Sequence, residues 1–147
     1  MQSENIPIYQ KKDFEKMREA GSLAAHVLDQ LYELIKPGIT TLEINDYCHD
    51  LILKNNAVPA PLNYKGFPKS VCTSVNHVVC HGIPNEKKFL NVGDIINVDV
   101  TVILNGWYGD SSRMFVAGKP NKKNLDLLKT TYECLQIGIK EAQPGKT

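Results

Sequence analysis

Residues 95–115 read IINVDVTVILNGWYGDSSRMF. Val98, Val100, Val102 and Leu104 alternate with Asn97, Asp99, Thr101 and Ile103, the period-two signature of a strand with two different faces. Asn105-Gly106 follows, a dipeptide that accepts positive φ at both central positions of a turn and so signals a two-residue hairpin. Such a turn sets the register: Leu104 pairs with Trp107, Val102 with Gly109, Thr101 with Asp110, and Asp99 with Ser112. Directly opposed residues point the same way, so Asp99, Thr101 and Asp110 share one face. The two carboxylates are then diagonal neighbours, with Cα atoms roughly 7–8 Å apart. The valines and Leu104 fill the other face and are expected to meet the core.

Aspartate forms strands poorly, and two like charges on one face repel unless they are solvated or share a cation. The hairpin alone leaves two readings open. One is a ribbon with a wet face; the other is a hard-metal site in which one carboxylate bridges two ions and the other binds one of them.

At 147 residues and 42% apolar, the chain is long enough for a single domain with a core, and 1–147 is read as one. Its 17 basic and 16 acidic residues leave a net charge of +1, which gives no footprint for nucleic acid or an anionic membrane. No apolar run approaches the roughly 18 residues of a membrane span, and the polar start MQSENIPIYQKK lacks the apolar stretch of an export signal. Cys48, Cys72, Cys80 and Cys134 show no CxxC spacing. Reduced thiols in a cytoplasmic protein are the expectation.

Upstream, Asp13 is expected to cap a helix with Phe14, Met17, Ala20, Ala24, Leu28, Leu31 and Ile35 on its apolar side, ended by Lys36-Pro37-Gly38. Thr40 and Glu43 form a capping-box pattern before a second helix with the stripe Ile44, Tyr47, Cys48, Leu51 and Ile52. Residues 57–66 read as extended and turn-rich. Strand character returns at 70–75 and again at 78–81. A third helix is expected after Asn121, with Leu125, Leu128, Tyr132, Leu135 and Ile139 on one face. Gln143-Pro144-Gly145-Lys146-Thr147 then repeats the pattern of Lys36-Pro37-Gly38-Ile39-Thr40, which suggests a duplicated architecture with its first half here.

Three segments resemble type I methionine aminopeptidases of the bacterial form: KSVCTSVN at 69–76 with VVCHGIP at 78–84, GDIINVDVT at 93–101, and GDSSRMF at 109–115. The resemblance runs in unbroken order from the first helix to Thr147. It implies an α/β (α+β) pita-bread fold, with this chain as its first half: antiparallel strands with amphipathic helices on one side. It implies removal of the initiator methionine from nascent polypeptides, in the cytoplasm, with ribosome contact among the expected associations. The implied cofactors are two divalent metal ions, cobalt, manganese, iron or zinc, held by two aspartates, a histidine and two glutamates. Asp99 and Asp110 match the two aspartates, the pair the hairpin register places on one face.

What else the resemblance implies attaches to single residues. His81 matches an active-site histidine that hydrogen-bonds the substrate near the scissile amide. Tyr64, Phe67 and Cys72 fall where the family lines its methionine pocket, and a thioether is well held by aromatic edges and a small polarizable wall. Thr101 is placed to orient water behind the metals. Asn76 and Val78 resemble a backbone-carbonyl site for a monovalent cation. Pro61 stands at a pocket rim where many bacterial members carry cysteine. Trp107 reads as packing, and His26 and His49 as surface or satisfied residues. The histidine ligand and both glutamate ligands have no match in these residues, so the 147-residue chain alone is expected to be inactive or nearly so. The rival readings are a non-catalytic pita-bread module that binds peptides or proteins, self-associating through an exposed half-fold face, and a prolidase-type enzyme.

Overall fold

The alternating stretch forms the strand on which the sheet is built. The computed structural model describes residues 6–147. Its elements are α1 (Lys11–Asp29), α2 (Thr41–Lys54), β1 (Val58–Pro59), a single 3₁₀ turn at Tyr64–Gly66, β2 (Cys72–Val75), β3 (Ile95–Leu104), β4 (Trp107–Val116) and α3 (Lys122–Glu141). All pairings are antiparallel. β4 lies along one edge of β3, while β2 and β1 follow one another along the other, with Cys72 opposite Asp99 and Val58 opposite Ile103. The hairpin has the register expected from its turn, from Leu104–Trp107 through Thr101–Asp110 to Asp99–Ser112. Asn105 and Gly106 both take positive φ, 51° and 82°, as a two-residue turn of this hand requires.

Val98, Val100 and Val102 are fully buried, each stabilising the fold by roughly 1.5–3 kcal/mol relative to exposure. They join Ala24, Val27 and Leu28 of α1 and Ile44, Cys48 and Ile52 of α2 in one apolar cluster. Both helices therefore cover the valine face. At Gly109, opposite Val102, the approach of α1 is so close that a Cβ would lie 2.1 Å from the Ala20 carbonyl oxygen.

Several elements differ from expectation. Helix α1 starts earlier, with Gln10 as its cap; Asp13 sits three residues in, where its carboxylate accepts the Gln10 backbone N–H at 2.9 Å. Phe14 and Met17, expected on the buried stripe, are exposed, because the sheet covers α1 only from Ala20 onward. The helix stops at Asp29, and the chain tightens into three-residue turns, Leu31 N–H to Leu28 and Leu34 N–H to Leu31. Leu31 and Ile35 remain buried all the same. There Tyr32 stands edge-on to Phe115 and beneath the Arg113 guanidinium, which also bonds Asp29. In α2 the Thr40–Glu43 box forms as expected. Tyr47 is exposed, whereas Asn45 is buried and its side-chain oxygen accepts the N–H groups of Ser70 and Val71. His49 is satisfied by the Ser70 hydroxyl at 2.8 Å. The second strand expected at 78–81 is absent: Val79 is 91% exposed, and after a turn at 76–77 the segment is irregular.

The two Pro-Gly segments are alike in backbone as well as in sequence. Ile39 N–H reaches the Lys36 carbonyl at 3.3 Å, and Lys146 N–H reaches Gln143 at 3.1 Å. Gly38 and Gly145 have φ of 94° and 84°. Each is a turn with Pro second and a left-handed Gly third. Helix α3 is tied at its start by the Asn124 amide to the Gly93 carbonyl, 2.9 Å, and none of its residues is buried. No helix among the described residues is long and apolar enough to cross a membrane.

Candidate metal centre and substrate pocket

Opposite the valines, the other face of the hairpin carries Asp99, Thr101 and Asp110. The Thr101 hydroxyl donates to Asp110 Oδ1 at 3.1 Å, which orients that carboxylate. Burial raises the Asp99 pKa above the ordinary carboxylate value, and the charge of Asp110 raises it further, while His81 pulls the other way. No ion pair among the described residues engages either aspartate. Cys72, across the ladder from Asp99, is pushed up to about 11 by burial first and then by Asp99, Cys80 and Asp110. A shift in that direction favours the neutral thiol over the thiolate, and Cys72 lines the same cavity as the two aspartates.

One cavity of about 840 Å³ brings together Asp99, Asp110, Thr101, His81, Tyr64, Phe67 and Cys72, with Pro61 also in its wall. His81 arrives on irregular chain, in the left-handed region at φ 55°, a conformation uncommon for a residue with a side chain. Its neighbour Gly82 explains the placement. The Gly82 carbonyl accepts Thr73 N–H at 2.8 Å, and its Cα lies so close that a Cβ would fall 2.1 Å from the Thr73 carbonyl oxygen. The His-Gly dipeptide thus presses the histidine loop against β2. Asn76 and Val78 lie outside the cavity. The Asn76 side chain bonds Asp94 at 2.8 Å and accepts Ile95 N–H at 3.1 Å, and no donor among the described residues engages the Asn76 or Val78 carbonyl. Trp107 packs edge-on to Tyr9, with centroids 5.6 Å apart.

The cavity also contains residues that the sequence did not single out. Tyr108 stands two residues before Asp110 on the same face of β4, a placement that strand alternation reveals once Asp110 is chosen. Lys65 comes from the 3₁₀ turn and Ile83 from irregular chain, where no periodicity marks them. Among the described residues, no group of three or more His, Cys, Asp or Glu side chains forms a metal-binding cluster.

The profile of Metallopeptidase family M24 matches residues 15–147. A methionine aminopeptidase of Rickettsia prowazekii (strain Madrid E) is 57% identical over 140 residues, taking in 95% of this chain and 54% of that protein. The crystal structure of a methionine aminopeptidase from Thermotoga maritima superposes with a TM-score of 0.90 at 33% identity, over 95% of this chain and 56% of that one. The prolidase of Pyrococcus horikoshii OT3, at 20% identity and a TM-score of 0.77 over 94% of this chain and 38% of its own, shares the fold alone. The chain spans about half the length of the curated relatives it matches.

Proposed function

Since the chain belongs to metallopeptidase family M24, we propose that it forms the aspartate-bearing part of a methionine aminopeptidase. The activity is removal of the initiator methionine from nascent polypeptides in the cytoplasm, with two divalent ions as cofactors. The observation that supports this reading is the pair Asp99 and Asp110, diagonal neighbours on one face of the hairpin in one cavity with His81, neither of them in an ion pair among the described residues. Two hard oxygen donors of like charge, one of them partly desolvated, fit manganese, iron, cobalt or zinc. When bound, such ions supply polarisation of the scissile carbonyl and a lowered pKa for attacking water.

The chain's own residues do the rest. Thr101 holds the Asp110 carboxylate in one orientation. His81 donates a hydrogen bond to the substrate near the scissile amide, and Tyr64, Phe67 and Cys72 enclose the methionine side chain. The free carbonyls of Asn76 and Val78 suit a monovalent cation away from the reacting atoms. The remaining ligands and the general base implied by the family have no match in these 147 residues. On this reading the chain by itself binds metal weakly and is inactive or nearly so.

A second reading, a non-catalytic module that binds peptides or proteins, draws on the exposed side chains of α3, Leu125, Tyr132, Leu135 and Ile139 among them. A second copy of the chain covering that face would appear as concentration-dependent dimerisation in sedimentation. The decisive experiment compares Met-Ala-Ser with an X-Pro dipeptide, using this chain and a version lengthened to the full span of its relatives, each with added Mn²⁺. The expected result is methionine release by the lengthened protein only, abolished by Asp99→Ala. Sustained release by the 147-residue chain would refute its inactivity, and cleavage of only the X-Pro peptide would favour the prolidase.

A further inference from the structure

The cavity floor is acidic, yet one basic side chain, Lys65, also lines it. Lys65 sits in a turn closed by Asn63 N–H to the Phe67 carbonyl at 2.8 Å and Phe67 N–H to the Tyr64 carbonyl at 2.9 Å. Asn63, Lys65 and Gly66 all take positive φ, 66°, 47° and 84°. A left-handed lysine is a costly backbone choice, and it persists where the surroundings over-determine it. Its ammonium lies 5.4 Å from the centroid of the Tyr64 ring, within the range of a cation–π contact. No ion pair among the described residues uses it. The cavity therefore has two carboxylates on its sheet face and an unpaired ammonium, resting on an aromatic ring, on its turn side.

We propose that Lys65 is a specificity-determining residue that recognises a carboxylate carried by the substrate downstream of its first residue. The inference rests on the reading of the cavity as a site for the N-terminal end of a methionyl peptide. With the amino end at the ions that Asp99 and Asp110 would hold and the first side chain held by Tyr64, Phe67 and Cys72, the following residues leave past the 63–67 turn. An acidic third residue meets Lys65, and a basic one is repelled. The contact is exposed to water, so its effect is modest, roughly two- to fivefold in affinity, and it fades as salt shortens the Debye length.

The test is a binding titration of the 147-residue chain with Zn²⁺ present, followed by NMR of the Lys65 signals at low and high salt. The peptides are Met-Ala-Glu-amide, Met-Ala-Gln-amide and Met-Ala-Lys-amide. Met-Ala-Gln with a free C-terminus separates a backbone carboxylate from a side-chain one, and Gly-Ala-Glu-amide tests the first residue. The expected order is Glu tightest and Lys weakest at low salt, kept in Lys65→Arg and inverted in Lys65→Glu. Equal affinities for the three methionyl amides, an order unchanged in Lys65→Glu, or no binding of any peptide overturns the proposal. If Gly-Ala-Glu-amide binds as well as Met-Ala-Glu-amide while the charge order holds, the methionine reading fails and the role of Lys65 stands.

Discussion

Aspartate is a poor strand former, and β3 carries one near its centre, half-buried and without a paired cation among the described residues. Asp99→Asn keeps the shape and removes the repulsion with Asp110. The expected outcome is an unchanged or higher melting temperature without metal, because burial and the charge of Asp110 both disfavour the ionised Asp99, together with loss of Mn²⁺ binding in calorimetry. A lower melting temperature without metal would mean that the carboxylate has a structural role instead. Thr73 is the opposite case. Its hydroxyl is buried and has no hydrogen-bond partner among the described residues. Thr73→Val should raise the denaturant midpoint, by about 1 kcal/mol in stability, because no hydrogen bond is lost and a desolvated hydroxyl is removed. At this scale Asp99 and Asp110 were legible, since a period of two and a two-residue turn assign each residue a face. His81 and the pocket aromatics came from the family likeness of their motifs. Lys65 was not legible, because positive φ in a turn leaves no repeating trace.

The hairpin shows how far elements could be read in advance. A strand that alternates for ten residues into Asn-Gly has one register that buries its valines, and that register is found. The end of α1 could not be read, because the helical spacing of Leu31 and Ile35 continues beyond the helix itself. The helix ends where tertiary contacts to β4 begin, with Arg113 paired to Asp29 and over Tyr32, whose ring stands edge-on to Phe115. The strand expected at 78–81 failed for a related reason. Val79 there faces solvent, and left-handed Asn76 turns the chain out of β2, to which it returns only at Gly82. The contact of α1 with β4 yields a sharp prediction. In Gly109→Ala the new methyl group overlaps backbone atoms of Ala20 and Gly21, and backbone cannot rotate aside. Stability should fall by about 3 kcal/mol, seen in a denaturant melt, whereas Gly106→Ala at the open hairpin tip should cost less.

For the molecule as a whole, buried thiols set an alkaline limit. Burial pushes Cys48 from 9.0 up to about 12. The sign follows from linkage: below pH 9 both states hold the proton, and above it the unfolded chain releases a proton that the folded chain keeps. Stability should therefore decline as pH rises from about 9 towards 12, and Cys48→Val should flatten that decline in melts across the range. Native thiol titration should find Cys80 and Cys134 reacting first, since they are exposed and Cys48 and Cys72 are buried. The apolar stripe of α3 was readable as a helix face, but its cover was not, because a stripe states only that something apolar belongs against it. The two-sided ribbon of β3 has a wider consequence. Odd-numbered positions from 97 to 103 bear on the cavity side and even-numbered ones on the core. Heredity can thus rewrite one set of letters without disturbing the other. A lineage that changed the cavity side would keep its shape, which makes this ribbon a durable chassis for chemistries other than the one it carries now.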